Sequence, residues 1–157
     1  MKKIAFITNI PSPYRVDFFS YLQKNCPEYE IHIIFSGAGM ENRKWSVELD
    51  KISRYVVLKS RTIIIRKRYD DRYIFLPTGV EKALSAIGPE LVIAMEYNPT
   101  ILRAVHWCQK KKVPFISWTD GTLWSERGIG KVQRMSRSYI IKRAAAFVAS
   151  STASKEA

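Results

Sequence analysis

Carboxylates, a guanidinium and hydroxyls recur in one setting in this sequence, immediately after short apolar runs. Ile4-Ala5-Phe6-Ile7 leads into Asn9-Ile10-Pro11-Ser12-Pro13-Tyr14-Arg15. The run from Leu91 to Met95 leads into Glu96-Tyr97-Asn98, and the run from Val113 to Trp118 into Thr119-Asp120-Gly121. A further polar stretch, 36–42, follows Ile31 to Phe35. If the runs are parallel strands, these stretches lie at their carboxyl ends, where open α/β sheets gather ligands. Asp120, at a strand end beside a glycine, is placed to bind a hydroxyl or accept its proton. Asp-Gly is equally a common turn dipeptide. Glu96 is placed to bind hydroxyls, whereas Asn98 before Pro99 reads as a helix cap. Asn9, Ser12, Tyr14 and Arg15 either present donors to a polar ligand or belong to a connector stiffened by two prolines.

Other chemistries lack their signatures. The first loop has no glycine, so it holds neither a dinucleotide fingerprint nor a phosphate-binding P-loop. The two cysteines, Cys26 and Cys108, stand alone and read as core residues of a chain kept in a reducing compartment. His32 falls mid-strand and His106 mid-helix, and their spacing makes no metal site. No metal and no cofactor is expected.

The elements that must position these residues follow from periodicity and breakers. Strands are predicted at Lys3 to Thr8, Glu30 to Ser36, Ser53 to Leu58, Leu91 to Met95, Val113 to Trp118 and Phe147 to Ser150. Helices are predicted at Tyr14 to Asn25, Leu76 to Ile87, Asn98 to about Lys112, and Gly128 to Ala145, with another starting at Thr152. The stretch from Met40 to Asp50 suits neither. This alternation implies an α/β fold, a mostly parallel sheet with helices on both faces. The chain has 157 residues, 46% of them hydrophobic, which suits one domain with its own core.

The charge is strongly positive: Lys and Arg number 26 against 14 Asp and Glu, for a net +12. Such a chain meets an anionic partner or carries a solvated basic surface. Two segments concentrate the charge. Between Lys59 and Tyr73, Arg61, Arg66, Lys67 and Arg68 interleave with Ile63, Ile64, Ile65 and Tyr69. That pattern suits contact with lipid headgroups or phosphate, or a mobile loop with one short strand. The predicted helix from Gly128 carries an apolar stripe, Ile129, Val132, Met135, Tyr139 and Ile140, expected to be core, and a basic remainder. No nucleic-acid-binding motif accompanies the charge, so nucleic acid is disfavoured. The apolar start is interrupted too early for a signal peptide, and no run is long enough to span a bilayer.

The first loop and helix, Ile10-Pro11-Ser12-Pro13-Tyr14-Arg15-Val16 with Phe18, Phe19 and Leu22, resemble the opening of family 4 glycosyltransferases of the GT-B fold. The stretch from Trp118-Thr119-Asp120-Gly121 through Arg134 to Ala145-Ala146-Phe147-Val148-Ala149-Ser150 resembles the end of their N-terminal domain. The match is weak between Met40 and Tyr73. The resemblance implies a single Rossmann-like domain over 1–157 that binds a sugar or lipid-linked acceptor. It further implies that a nucleotide sugar is held by a separate C-terminal domain absent from this chain, so that the chain alone is not active. Expected acceptor contacts are Asn9, Ser12, Tyr14, Arg15, Glu96, Thr119 and Gly121. Many relatives carry a histidine where Thr119-Asp120 stands here, which leaves Asp120 as the catalytic candidate. The setting implied is surface polysaccharide or glycolipid synthesis in the cytoplasm, at the inner face of the membrane. The alternatives are a basic nucleic-acid-binding module and a peripheral membrane-binding module without catalysis.

Overall fold

The computed structural model describes residues 1–39, 46–66, 68, 72–125 and 127–156. Six parallel strands form the main sheet: β1 (Lys2–Thr8), β2 (Tyr29–Phe35), β3 (Tyr55–Val57), β6 (Leu91–Met95), β7 (Phe115–Thr119) and β8 (Ala146–Ala149). Their spatial order is β3-β2-β1-β6-β7-β8. Every pairing in this sheet is parallel. β1 is central, and its residues Ala5 to Thr8 are buried, as the unbroken apolar run requires when both faces are covered.

One face carries α1 (Pro13–Asn25) and a short 3-10 turn (Leu49–Lys51). Phe19 and Val16 of α1 pack there against Phe6, Ile33 and Phe35. The opposite face carries α2 (Val80–Ile87), α3 (Pro99–Lys111) and α4 (Lys131–Ile141), with Leu84, Ile101, Val105 and Ile140 against Ile7, Val92 and Phe115. A short α5 (Thr152–Lys155) follows β8. The α/β expectation with helices on both faces therefore holds. Cys108 is buried in the second core, and burial pushes its thiol up to about 12, which makes it unreactive.

α3 starts as its sequence dictates. Pro99 occupies the first helical position, and the Asn98 side chain accepts a hydrogen bond from the Ile101 N–H at 3.1 Å. Asn98→Ala is expected to lower unfolding free energy by about 1–2 kcal/mol, read as a lower urea midpoint. An unchanged midpoint would mean that the cap contributes nothing.

Three expectations are corrected. The helix expected from Leu76 starts at Val80. Residues 72–77 instead form β5 (Arg72–Pro77), paired antiparallel with β4 (Ser60–Ile65) in a separate two-stranded sheet. The run Ile74-Phe75-Leu76 pairs with Arg61-Thr62-Ile63, and Gly79 at φ 91° takes the left-handed turn that starts the helix. The basic segment from Lys59 is thus largely a hairpin; Lys67, Tyr69, Asp70 and Asp71 lie outside the described residues. The helix expected over Gly128 to Ala145 is shorter, and only the end of its stripe, Tyr139 and Ile140, is core or packed against it. Ile140 is buried, but Val132 is 77% and Met135 72% exposed. The stretch from Met40 to Asp50 is described only from residue 46 onward.

Candidate functional site

The strand order reverses direction at β1 and β6. From β1 the chain proceeds through α1 to β2 on one side, while β6 leads through α3 to β7 on the other. The loops leaving these neighbours diverge and open a crevice at the carboxyl edge. A pocket of about 220 Å³ lies there. Tyr14, Arg15 and Phe18 come from α1, Met95 and Glu96 from the end of β6, Trp118 and Asp120 from the end of β7, and Ser150 from the end of β8.

Its central feature is an ion pair, with Arg15 Nη2 2.8 Å from Glu96 Oε1. Both side chains are largely buried, at 14% and 21% exposed. Burial raises the Glu96 carboxyl, Arg15 pulls it down through charge and hydrogen bonding, and Asp120 pushes it up. Burial prevails, and Glu96 sits at about 7. For Arg15 burial works downward, but the Glu96 carboxylate outweighs it and the guanidinium is held above its ordinary value. Glu96 also has φ 75°, a left-handed conformation that costs a residue with a long side chain about 1–3 kcal/mol. Strain of this kind, at a buried carboxylate in a crevice, makes Glu96 a candidate functional residue.

Aromatic rings form the apolar part. Phe18 and Trp118 meet edge to face with centroids 5.5 Å apart. The Trp118 indole N–H donates to Ser150 Oγ at 2.9 Å, which fixes the ring. Tyr14 is 67% exposed at the rim, with the Arg15 guanidinium 5.7 Å from its ring centre. Asp120 is exposed and lines the pocket. A buried salt bridge, an exposed carboxylate and a fixed indole suit a neutral ligand rich in hydroxyls. Carboxylates accept from hydroxyls, and aromatic faces take up apolar ring surface.

The structure therefore brings together Tyr14, Arg15, Glu96 and Asp120 from the residues singled out in the sequence. The other four do not line the pocket. Asn9 accepts a hydrogen bond from the Asn98 amide at 2.5 Å, tying the loop after β1 to the loop after β6. Ser12 is buried at the start of α1, its backbone oxygen accepting from Val16 N–H at 2.9 Å. Thr119 Oγ1 accepts from Gly121 N–H at 3.1 Å, which shapes the turn that presents Asp120. Arg61, Arg66 and Arg68 are exposed on the hairpin and its connection and do not line the pocket, and Lys67 lies outside the described residues. Sequence reasoning missed Phe18, Met95, Trp118 and Ser150. Phe18 lies one turn after Tyr14 on the same helix face, and Ser150 ends β8, so both followed from rules already in use. Among the described residues no group of three His, Cys, Asp or Glu could hold a metal ion.

No protein-family model matches the sequence, and no curated protein matches it. Solved structures do. Staphylococcus aureus MnaA in a UDP co-structure aligns with a TM-score of 0.62 and 15% identity, over 99% of this chain and 41% of that one. UDP-GlcNAc 2-epimerase from Neisseria meningitidis bound to UDP-GlcNAc gives 0.54 and 13%, over 98% of this chain and 41% of that one. The UDP-GlcNAc 2-epimerase of Methanocaldococcus jannaschii gives 0.53 and 12%, again over 98% and 41%. At such identities the likeness is one of fold. The chain has a Rossmann-like α/β domain of GT-B-like type, shared with proteins that handle nucleotide sugars. It spans 41% of the length of each of these neighbours, which are not family 4 glycosyltransferases.

Proposed function

We propose that the pocket between α1 and the ends of β6 and β7 binds the hydroxyl-rich acceptor of a nucleotide-sugar-dependent glycosyltransferase. In this reading the chain is the acceptor-side half of a family 4-like enzyme, and the nucleotide sugar is held by a domain outside it. The observation that supports it is the convergence of Arg15, Glu96 and Asp120 with the fixed Trp118 ring in one pocket. Asp120, the exposed carboxylate, is the proposed base. It takes the proton of the acceptor hydroxyl as that oxygen bonds to the sugar carbon and the nucleotide phosphate departs. Glu96 and Arg15 orient the acceptor. The reaction setting proposed is surface polysaccharide or glycolipid synthesis on the cytoplasmic side of a membrane.

A second reading comes from the neighbours, one of which is bound to UDP-GlcNAc: the pocket itself would take a nucleotide sugar. The local charge disfavours it. Arg15 is already committed to Glu96, and Asp120 adds negative charge where a diphosphate would need cations.

Asp120→Ala is expected to weaken binding of a soluble sugar acceptor at least about tenfold, the worth of a hydrogen bond to a charged group. Its thermal midpoint should stay at the wild-type value, because the side chain is exposed. Titration calorimetry and a melting curve check both halves. Wild-type affinity in this variant would remove Asp120 from the site.

A further inference from the structure

The pocket between α1 and the ends of β6 and β7 is more apolar than a plain hexose requires. Met95 lines it at 9% exposure, and so do the half-buried rings of Phe18 and Trp118. Tyr14 and Asp120, both exposed, stand at its rim. Most of its polar groups are already engaged. Arg15 and Glu96 face each other at 2.8 Å and present one ion pair rather than two free charges. Glu96 Oε2 is sealed from solvent. Ser150 Oγ accepts from the Trp118 indole N–H at 2.9 Å and donates to the Thr119 carbonyl at 3.4 Å. The exposed Asp120 carboxylate is therefore the group open to a ligand hydrogen.

A hexose carries hydroxyls around its whole ring. Seated here it would press some of them against Phe18, Met95 and Trp118, where each loses water and gains no partner. The volume of about 220 Å³ is small beside the roughly 300–1,000 Å³ of sites for drug-sized molecules, so a single sugar unit fills it. The unit that suits both walls has a hydrogen-bond donor for Asp120 and a methyl group where a hexose is polar. Acetamido sugars and 6-deoxy sugars share that chemistry.

We propose that the sugar bound in this pocket carries a methyl-bearing substituent, acetamido or 6-deoxy, with the methyl seated against Phe18, Met95 and Trp118. A ring hydroxyl or the amide N–H donates to Asp120. The proposal rests on the pocket taking a sugar acceptor, and it names the class of that sugar. Burying the methyl removes apolar surface from water, and no hydroxyl is left stranded on the apolar wall. Ser150 holds the indole in place before the ligand arrives, so no ordering of that ring opposes binding.

The test is a chemical-shift titration of the labelled chain with two pairs of sugars. D-Glucose is compared with N-acetyl-D-glucosamine, and D-galactose with D-fucose, its 6-deoxy form. In at least one pair the methyl-bearing sugar is expected to bind roughly tenfold tighter than its parent, the worth of a buried methyl in place of a desolvated hydroxyl. The pair that shows the gain tells acetamido from 6-deoxy. Nuclear Overhauser contacts should run from the ligand methyl to the ring protons of Phe18 and Trp118. Met95→Gln, close to isosteric but polar, should cancel the gain, with a melting curve to confirm that it folds. The affinities and contacts of the unaltered chain decide the matter even if that variant unfolds. Equal affinities within both pairs, or methyl contacts to residues outside the pocket, would overturn this inference and leave the sugar-acceptor reading standing. No binding by any of the four sugars would overturn that reading and this inference with it.

Discussion

Arg15→Met is expected to destabilise the domain by about 1–1.5 kcal/mol more at pH 8 than at pH 5, because Glu96 sits at about 7 beside Arg15 and the unpaired carboxyl can protonate at pH 8 for no more than that. Arg15 and Glu96 are 2.8 Å apart, and neither side chain is more than about a fifth exposed. Removing the guanidinium leaves Glu96 Oε1 without its cation, while Oε2 is already buried with no protein partner. The variant has one escape, which is to protonate Glu96. Its deficit should therefore be smaller by that amount at pH 5, where the unpaired carboxyl is neutral. Urea unfolding at both pH values measures this. A loss of equal size at pH 5 and pH 8 would assign the damage to lost packing instead, since the aliphatic stem of Arg15 also contributes contacts.

The second large effect is a pH dependence carried by Glu96 itself. Its carboxyl is raised from 4.5 to about 7 in the folded chain. Below pH 4.5 the group is protonated folded and unfolded alike, and it contributes no slope. As pH rises through the window from 4.5 to 7, the unfolded chain ionises first and gains stability relative to the folded one. Near pH 7 and above, the folded carboxyl ionises too, and the full loss of roughly 3 kcal/mol has accumulated. Glu96→Gln mimics the protonated form at all pH values. Relative to wild type it should gain roughly 3 kcal/mol between pH 4 and pH 8, with the change concentrated inside that window. A pH-independent difference between the two proteins would show that the carboxyl is not raised. Most single substitutions destabilise, so a gain of this size at neutral pH would mark Glu96 as retained for function at the expense of stability.

The same residues show how far the amino-acid sequence carries the argument. The six-stranded sheet was legible because its inner strands β1, β6 and β7 are short apolar runs, with Asn9, Pro89 and Pro114 close to their ends. The hairpin was not. Ile63-Ile64-Ile65 and Ile74-Phe75-Leu76 are consecutive apolar residues without the period-two alternation of a half-exposed strand, and Leu76 falls by chance at helical spacing from Val80 and Ala83. The stripe of α4 is a true helical stripe, yet Val132 and Met135 are exposed, and helical spacing carries no record of which turns a neighbouring element covers. At the site, strand ends nominated Glu96 and Asp120, and both line the pocket. Trp118 resembled a core strand residue, because a tryptophan in an apolar run has the same appearance whether it faces a core or a pocket. Asn9 and Ser12 have polar side chains in the right loop. A tertiary contact with Asn98 that no local pattern reveals turns Asn9 to bracing the scaffold, and Ser12 is buried where α1 begins.

The account rests on the pocket accepting a neutral, hydroxyl-rich ligand. Amide and indole NMR of the labelled chain, titrated separately with N-acetylglucosamine, a short glycan and UDP, tests that most directly. The sugars should move the Trp118 indole and the backbone signals of Glu96 and Asp120 together, with UDP leaving them in place. Shifts of those signals by UDP alone, or sugar-induced shifts that leave Trp118 unmoved, would contradict it.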